Sequence, residues 1–346
     1  MISRHLQPPV DLAVIDATRR PAASGASGAR CPSRYTVEIA NAPLIAHVLD
    51  ELAGLGITDV RVVTGPGDGA ELMRALGARP GPGPGPQVTL AEADTRLPRH
   101  AVLAELDGAL DHGPVFLHPG DALFGERLHV MTDRYQAGGV DVVLPAETSV
   151  AGHDPRDGWL ATTAMVLGPD TRPLVRELSE PAADGEDLIE LLLHSDYRLA
   201  VTELAEQWAY EDSTDALLAG NRLVLDALRG GALDPGLSES NEFHGRVTVG
   251  RGVFMSGCVV HGPVSIGDRA VLEDSFIGPY TAIGRGVVLS GAEVENSIVL
   301  TDAEIRHPGQ RIVSSIIGER ARVTRSFELP QGMHLRLGPD SRITLS

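Results

Sequence analysis

A short motif, an aliphatic residue followed by glycine, returns along the last third of the chain: Val249-Gly250, Ile266-Gly267, Ile277-Gly278, Ile283-Gly284 and Ile317-Gly318. The intervals are 17, 11, 6 and 34 residues, each close to a multiple of six. Between them Val253, Val259, Val264, Val271, Val288, Val294 and Val299 keep an aliphatic residue about every six positions. This period is the signature of hexapeptide β-helix repeats. Each side of a triangular coil is one short strand, each corner is a turn, and one aliphatic side chain per side points inward. Glycine after the aliphatic residue is expected where a corner wants permissive backbone angles. An ordinary sandwich of short strands would show two-residue alternation and longer spacing instead.

The first 230 residues read differently. Aliphatic runs at Leu12 to Ile15, Val60 to Val63, Val88 to Leu90, Val115 to Leu117, Val140 to Leu144, Thr162 to Leu167 and Tyr197 to Leu204 predict strands. Helical spacing predicts helices opened by Pro43, and over Glu71 to Leu76, Ala101 to Leu110, Arg127 to Ala137, Glu186 to His194 and Asp215 to Leu228. Arg79 to Pro86 alternates glycine and proline and reads as a loop. Strand–helix alternation argues for a mostly parallel sheet covered on both faces. The expected division is an α/β domain over 1–230, a linker over 231–244 and the β-helix over 245–346.

Charge restricts the chemistry. Acidic residues number 47 against 29 basic ones, a net charge of −18, and every basic residue is an arginine. A mechanism that needs a lysine ammonium is excluded, and partnership with nucleic acid or an anionic membrane is not expected. Cys31 and Cys258 are too few and too far apart for a metal set or a disulfide framework. Both read as free thiols. No apolar run is long enough to cross a membrane, and the polar Met1 to Pro9 stretch does not read as a signal peptide, so a cytoplasmic protein is expected.

Several segments carry a resemblance. Ile39-Ala40-Asn41-Ala42-Pro43-Leu44-Ile45 is similar to the V-A-N-K-P-I stretch of sugar-1-phosphate nucleotidyltransferases of the long, glucose-1-phosphate thymidylyltransferase-like form. So are Leu217 to Leu225, with Gly220-Asn221, and Ile277-Gly278-Pro279-Tyr280-Thr281. Leu117-His118-Pro119-Gly120-Asp121 resembles the family's strand ending in Gly-Asp. The resemblance spans nearly the whole chain. It implies a doubly wound, Rossmann-like nucleotidyltransferase sheet followed by a left-handed parallel β-helix. It implies attack of a sugar phosphate on a nucleoside triphosphate (NTP) with release of pyrophosphate, supported by Mg²⁺.

Mapped onto this chain, the family's phosphate loop G-G-x-G-T-R-L falls on Asp16, Ala17, Thr18 and Arg19. Ala17 carries a Cβ where backbone closeness to phosphate is wanted, and Asp16 brings a carboxylate. Gly25 and Gly28 either rebuild the loop or belong to a surface segment. Arg34 falls at a family lysine that meets phosphate. The lysine that grips the sugar phosphate has no counterpart unless Arg156 or Arg172 supplies it. At the base-recognition stretch, Glu92 stands for the glutamine and Leu97 for a glycine. Asp121 matches the first metal carboxylate, the alternative being a helix-capping aspartate. For the second, alignment gives Tyr210, while Asp212 lies two residues on.

Two readings follow. One is a degenerate member of the family acting as a structural or regulatory subunit, with an active paralogue as partner. The other is an active enzyme with a rebuilt site. A third, acyl transfer, would use His261 or His307 of the coil, against their reading as exposed corner residues. The coil is expected to drive homo- or hetero-oligomerisation.

Overall fold

A computed structural model describes residues 6–19, 33–77, 85–93, 98–125, 128–146, 164–180, 187–204, 207–231 and 240–325. Cys31, Gly25, Gly28, Leu97 and Arg156 lie outside these residues.

The N-terminal part is built on a seven-stranded sheet. In spatial order its strands are Leu199–Thr202, Val142–Pro145, Met165–Leu167, Val115–His118, Leu12–Ala17, Asp59–Thr64 and Gln87–Glu92. All run parallel except Met165–Leu167, which is antiparallel to both neighbours. Alternation along each strand feeds two cores. Ala13, Ile15, Val60, Val62 and Phe116 face the helix Leu44–Gly54, whose Leu44, Ile45, Val48, Leu49 and Leu52 are buried. Leu12, Val14, Val63, Val115 and Leu117 face the helices Pro98–Leu110, Arg172–Ser179 and Leu188–Leu193. From the central strand Leu12–Ala17 the chain builds outward to Gln87–Glu92, then returns to place Val115–His118 on the other side of Leu12–Ala17. The C-terminal ends of these two strands form a topological switch point, the usual crevice of an open α/β sheet.

The C-terminal part is a coil of three parallel five-stranded sheets, the pattern of a left-handed parallel β-helix. Its first strand, Glu242–His244, falls inside the segment that the sequence reads as linker. Glu242 pairs with Val259 and Val259 with Phe276, so a rung is 17 residues, one short of three hexapeptides. It lengthens to 18 between Val294 and Ile312. In two sheets the inward residue is the middle one of each strand: Val260, Leu272 and Leu289 are fully buried, while Val259, Val271 and Val288 are only partly so.

The glycines owe their place to a different cause from the expected corner. Gly250, Gly267 and Gly284 do not adopt positive φ. A Cβ on Gly267 would sit 2.7 Å from the Arg285 nitrogen of the next rung, and one on Gly250 2.5 Å from the Asp268 nitrogen. Rung-to-rung contact selects glycine there. Left-handed backbone is carried mainly by others, including Arg269, Asp274, Tyr280, Asn296 and Asp302.

One coil face is covered by the N-terminal part. Val264–Ile266 and Thr281–Ile283 are buried at every residue, whereas strands of the other two sheets expose alternate residues. Ile298 of this face joins the core of the α/β part. The docking is hydrogen-bonded as well. Ala40 and Asn41 turn at positive φ between the short strands Glu38–Ile39 and Ala42–Pro43. Asn221 accepts from the Ala40 N–H (2.9 Å) and donates to the Tyr280 carbonyl (2.9 Å), and Asn41 Nδ2 donates to Ser265 Oγ (2.9 Å). The three fold-marking segments of the sequence thus meet at one seam.

Candidate functional site

The switch point gathers a charged cluster. The strand Leu12–Ala17 runs two residues past its apolar stretch, so Asp16 and Ala17 are strand residues registered on Val63 and Thr64, and no loop begins there. Asp16 folds back: its Oδ1 accepts from the Thr18 N–H (3.0 Å) and hydroxyl (2.7 Å). The next residue, Arg19, donates from its backbone N–H to the buried Tyr35 hydroxyl (3.0 Å) and from Nη1 to Asp121 Oδ2 (2.7 Å).

Asp121 follows Val115–His118 through a tight Pro119-Gly120 turn. Gly120 has φ +66, and a Cβ there would lie 2.9 Å from both the Asp16 carbonyl and the Ile15 side chain. No helix follows Asp121. The chain enters the strand Ala122–Leu123, paired antiparallel with Trp208–Ala209, so a capping role is excluded. This ribbon brings the Tyr210 N–H onto the Asp121 carbonyl (2.9 Å). Asp212, at φ +54, turns its carboxylate back toward the cluster.

Arg34 joins the parts. Its Nε donates to Asp121 Oδ2 (3.1 Å), Nη1 to Asp212, and Nη2 to the Tyr210 carbonyl, while its guanidinium lies 5.1 Å from the Tyr210 ring centre. The Arg34 side chain is 5% exposed and that of Asp121 2%. Arg19, Arg34, Asp121 and Asp212, named from sequence, are therefore brought together. Of the two alternatives at the second carboxylate position, Asp212 supplies the side chain and Tyr210 a backbone carbonyl.

Sequence reasoning missed two neighbours. Tyr35 is pushed well above the usual phenol range by burial, then by Asp121 and Asp16. His118 is fully buried, which lowers it to about 3, and its Nδ1 accepts from the Gly120 N–H (2.9 Å). Nothing in a lone tyrosine or histidine signals such a place; both are revealed only by packing.

Other candidates fall elsewhere. Glu92 ends the strand two positions across the sheet from Ala17, and its Oε1 accepts from the Gly67 N–H (2.7 Å). Arg172 is paired with Asp107 and Asp111, and so is committed away from the cluster. His261 is exposed beside His244 and Phe276, and His307 is an exposed corner residue at φ +44. A cavity of about 1000 Å³ lined by His47, Glu51, Phe124 and Arg246 includes none of the cluster's residues.

A scan against protein-family profiles finds no match. Comparison with curated proteins does. The chain is 27% identical to a glucose-1-phosphate thymidylyltransferase of Streptomyces antibioticus, over 93% of this chain and 98% of that one. It is 26% identical to the enzyme of that name from Streptomyces griseus, over 91% and 94%. It is 27% identical to the low-salt glycan biosynthesis nucleotidyltransferase Agl11 of Haloferax volcanii, over 93% and 98%. The chain is a homologue of the sugar-1-phosphate nucleotidyltransferases.

A nucleotidyltransferase with a divalent ion at Asp121 and Asp212 would need free carboxylate oxygens and further oxygen ligands. Here Asp121 Oδ2 already takes two guanidinium donors and Asp212 a third. No group of three His, Cys, Asp or Glu side chains suited to a metal occurs among the described residues. The residues as placed do not fit Mg²⁺. Among the same residues no helix is long and apolar enough to cross a membrane.

Proposed function

We propose that this chain is a nucleotidyltransferase-family protein that has lost ordinary catalysis and serves as a structural or regulatory subunit, with an active paralogue as its partner. One observation carries the reading: both arginines at the switch point are committed to carboxylates. Asp16, Asp121 and Asp212 set three negative charges against the two positive ones of Arg19 and Arg34. A triphosphate arriving there meets net negative charge and, at Arg34, a guanidinium already engaged through Nε, Nη1 and Nη2. The strand residues Asp16 and Ala17 stand where a cradle of free backbone N–H groups is wanted, and Ala17 pairs with Thr64 instead.

A second reading, an active enzyme joining a sugar 1-phosphate to an NTP, has one observation in its favour. Arg19, Arg34, Asp121 and Asp212 converge at the crevice where such folds bind ligands.

Assay of pyrophosphate release with hexose 1-phosphates, each NTP and Mg²⁺, beside calorimetric titration with the NTPs, separates the two. The subunit reading expects neither turnover nor binding heat; turnover at enzymatic rates overturns it.

A further inference from the structure

We propose that the cation of this site is built into the chain: the Arg34 guanidinium occupies the place between Asp121 and Asp212, and the two carboxylates bind no divalent ion. The proposal rests on the family reading above only in taking these carboxylates as the pair of interest.

The geometry is that of a planar cation with three oxygen acceptors around its edge. Nε faces Asp121, Nη1 faces Asp212 and Nη2 faces the Tyr210 carbonyl, with the Tyr210 ring nearby. A guanidinium presents five donors in a fixed fork, so one side chain bridges acceptors that a compact ammonium would reach singly. Arg19 adds a second donor to Asp121 Oδ2. Asp121 and Asp212 against Arg19 and Arg34 are two charges against two, while the third carboxylate of the switch point, Asp16, is turned onto the Thr18 N–H and hydroxyl. An entering ion finds neither carboxylate of the pair uncompensated and must displace charge-assisted bonds around Asp121 and Arg34, whose side chains are almost closed to water. The network ties the segments at 18–19, 34–35, 120–121 and 210–212, which makes Arg34 a positioning residue for the whole switch point.

Mn²⁺ titration of the full chain, read by the electron paramagnetic resonance signal of the free aqua ion, tests this. Wild type is expected to leave the signal undiminished, and its melting temperature is expected not to move with Mn²⁺ or Mg²⁺. Arg34→Ala is expected to take up one Mn²⁺ per chain, and R34A/D121N to lose it again. Circular dichroism checks folding, and Arg34→Gln carries the same comparison if the alanine variant does not fold. Uptake of Mn²⁺ by wild type that Asp121→Asn abolishes overturns the proposal. So does the absence of uptake in folded Arg34 variants, because the guanidinium would then not be what keeps the ion out. Pyrophosphate release is scored separately. Ion uptake without turnover sinks only this proposal, and turnover without prior ion uptake sinks only the subunit reading.

Discussion

His118 is held neutral by its surroundings: it is enclosed between Phe116 and Phe124, and Nδ1 receives the Gly120 N–H. Its value falls from 6.5 to about 3 because burial penalises the imidazolium. The unfolded chain therefore binds a proton below pH 6.5 that the folded chain refuses until about pH 3. Stability from this group is present above 6.5 and declines as pH falls, by about 1.4 kcal/mol per pH unit. His118→Asn keeps an acceptor for Gly120 and removes the titration. Urea unfolding at neutral pH and at about pH 5 is expected to show a shallower acid loss in the variant; an unchanged slope contradicts the assignment. Gly120 is the second sensitive residue. Gly120→Ala combines a left-handed backbone with contacts under 3 Å to Asp16 and Ile15, and an expected loss of about 2–4 kcal/mol in the same assay. Glu51 shows the opposite sign. Burial raises it to about 8 against the N–H groups of Phe124 and Gly125, so its share of stability falls as pH rises from 4.5 toward 8.

Between elements, the docking seam is the most informative place. Asn221, on the helix Thr214–Asp226, is fully buried and serves Ala40 on one side and Tyr280 on the other. Asn221→Ala empties a fully buried position and takes the side-chain partner from the Ala40 N–H and the Tyr280 carbonyl at once, an expected loss of about 2–4 kcal/mol in chemical denaturation. Asn41→Ala is expected to lose less, because Asn41 is itself only half-buried and its side chain bonds to Ser265 alone. These asparagines were legible in the sequence as family markers, and the structure supplies the reason: they weld the coil to the sheet. The six-residue period was legible too, because aliphatic side chains must recur wherever a strand meets the coil interior. The 17-residue rung was not, since register depends on which corners tighten.

For the molecule as a whole, the two halves share a core through Ile298, with Leu300 and Ile316 packed beside it. A seam of this kind couples unfolding of the halves. Scanning calorimetry is expected to show one transition, and Asn221→Ala to shift it as a unit; two resolved transitions in wild type would show that the seam is energetically weak. The coil face at Val264–Ile266 and Thr281–Ile283 is occupied from within the chain, so any self-association must use another surface.

Hydrophobic period and turn residues are local quantities, and they alone determined the alternating α/β part, the coil and most element positions. Arg19, Arg34, Asp121 and Asp212 could be named from sequence by position. What they do to one another was decided only in three dimensions. A guanidinium can meet a phosphate or a carboxylate with equal ease, and the choice depends on which anions the fold brings within about 3 Å. At this switch point the chain brings its own.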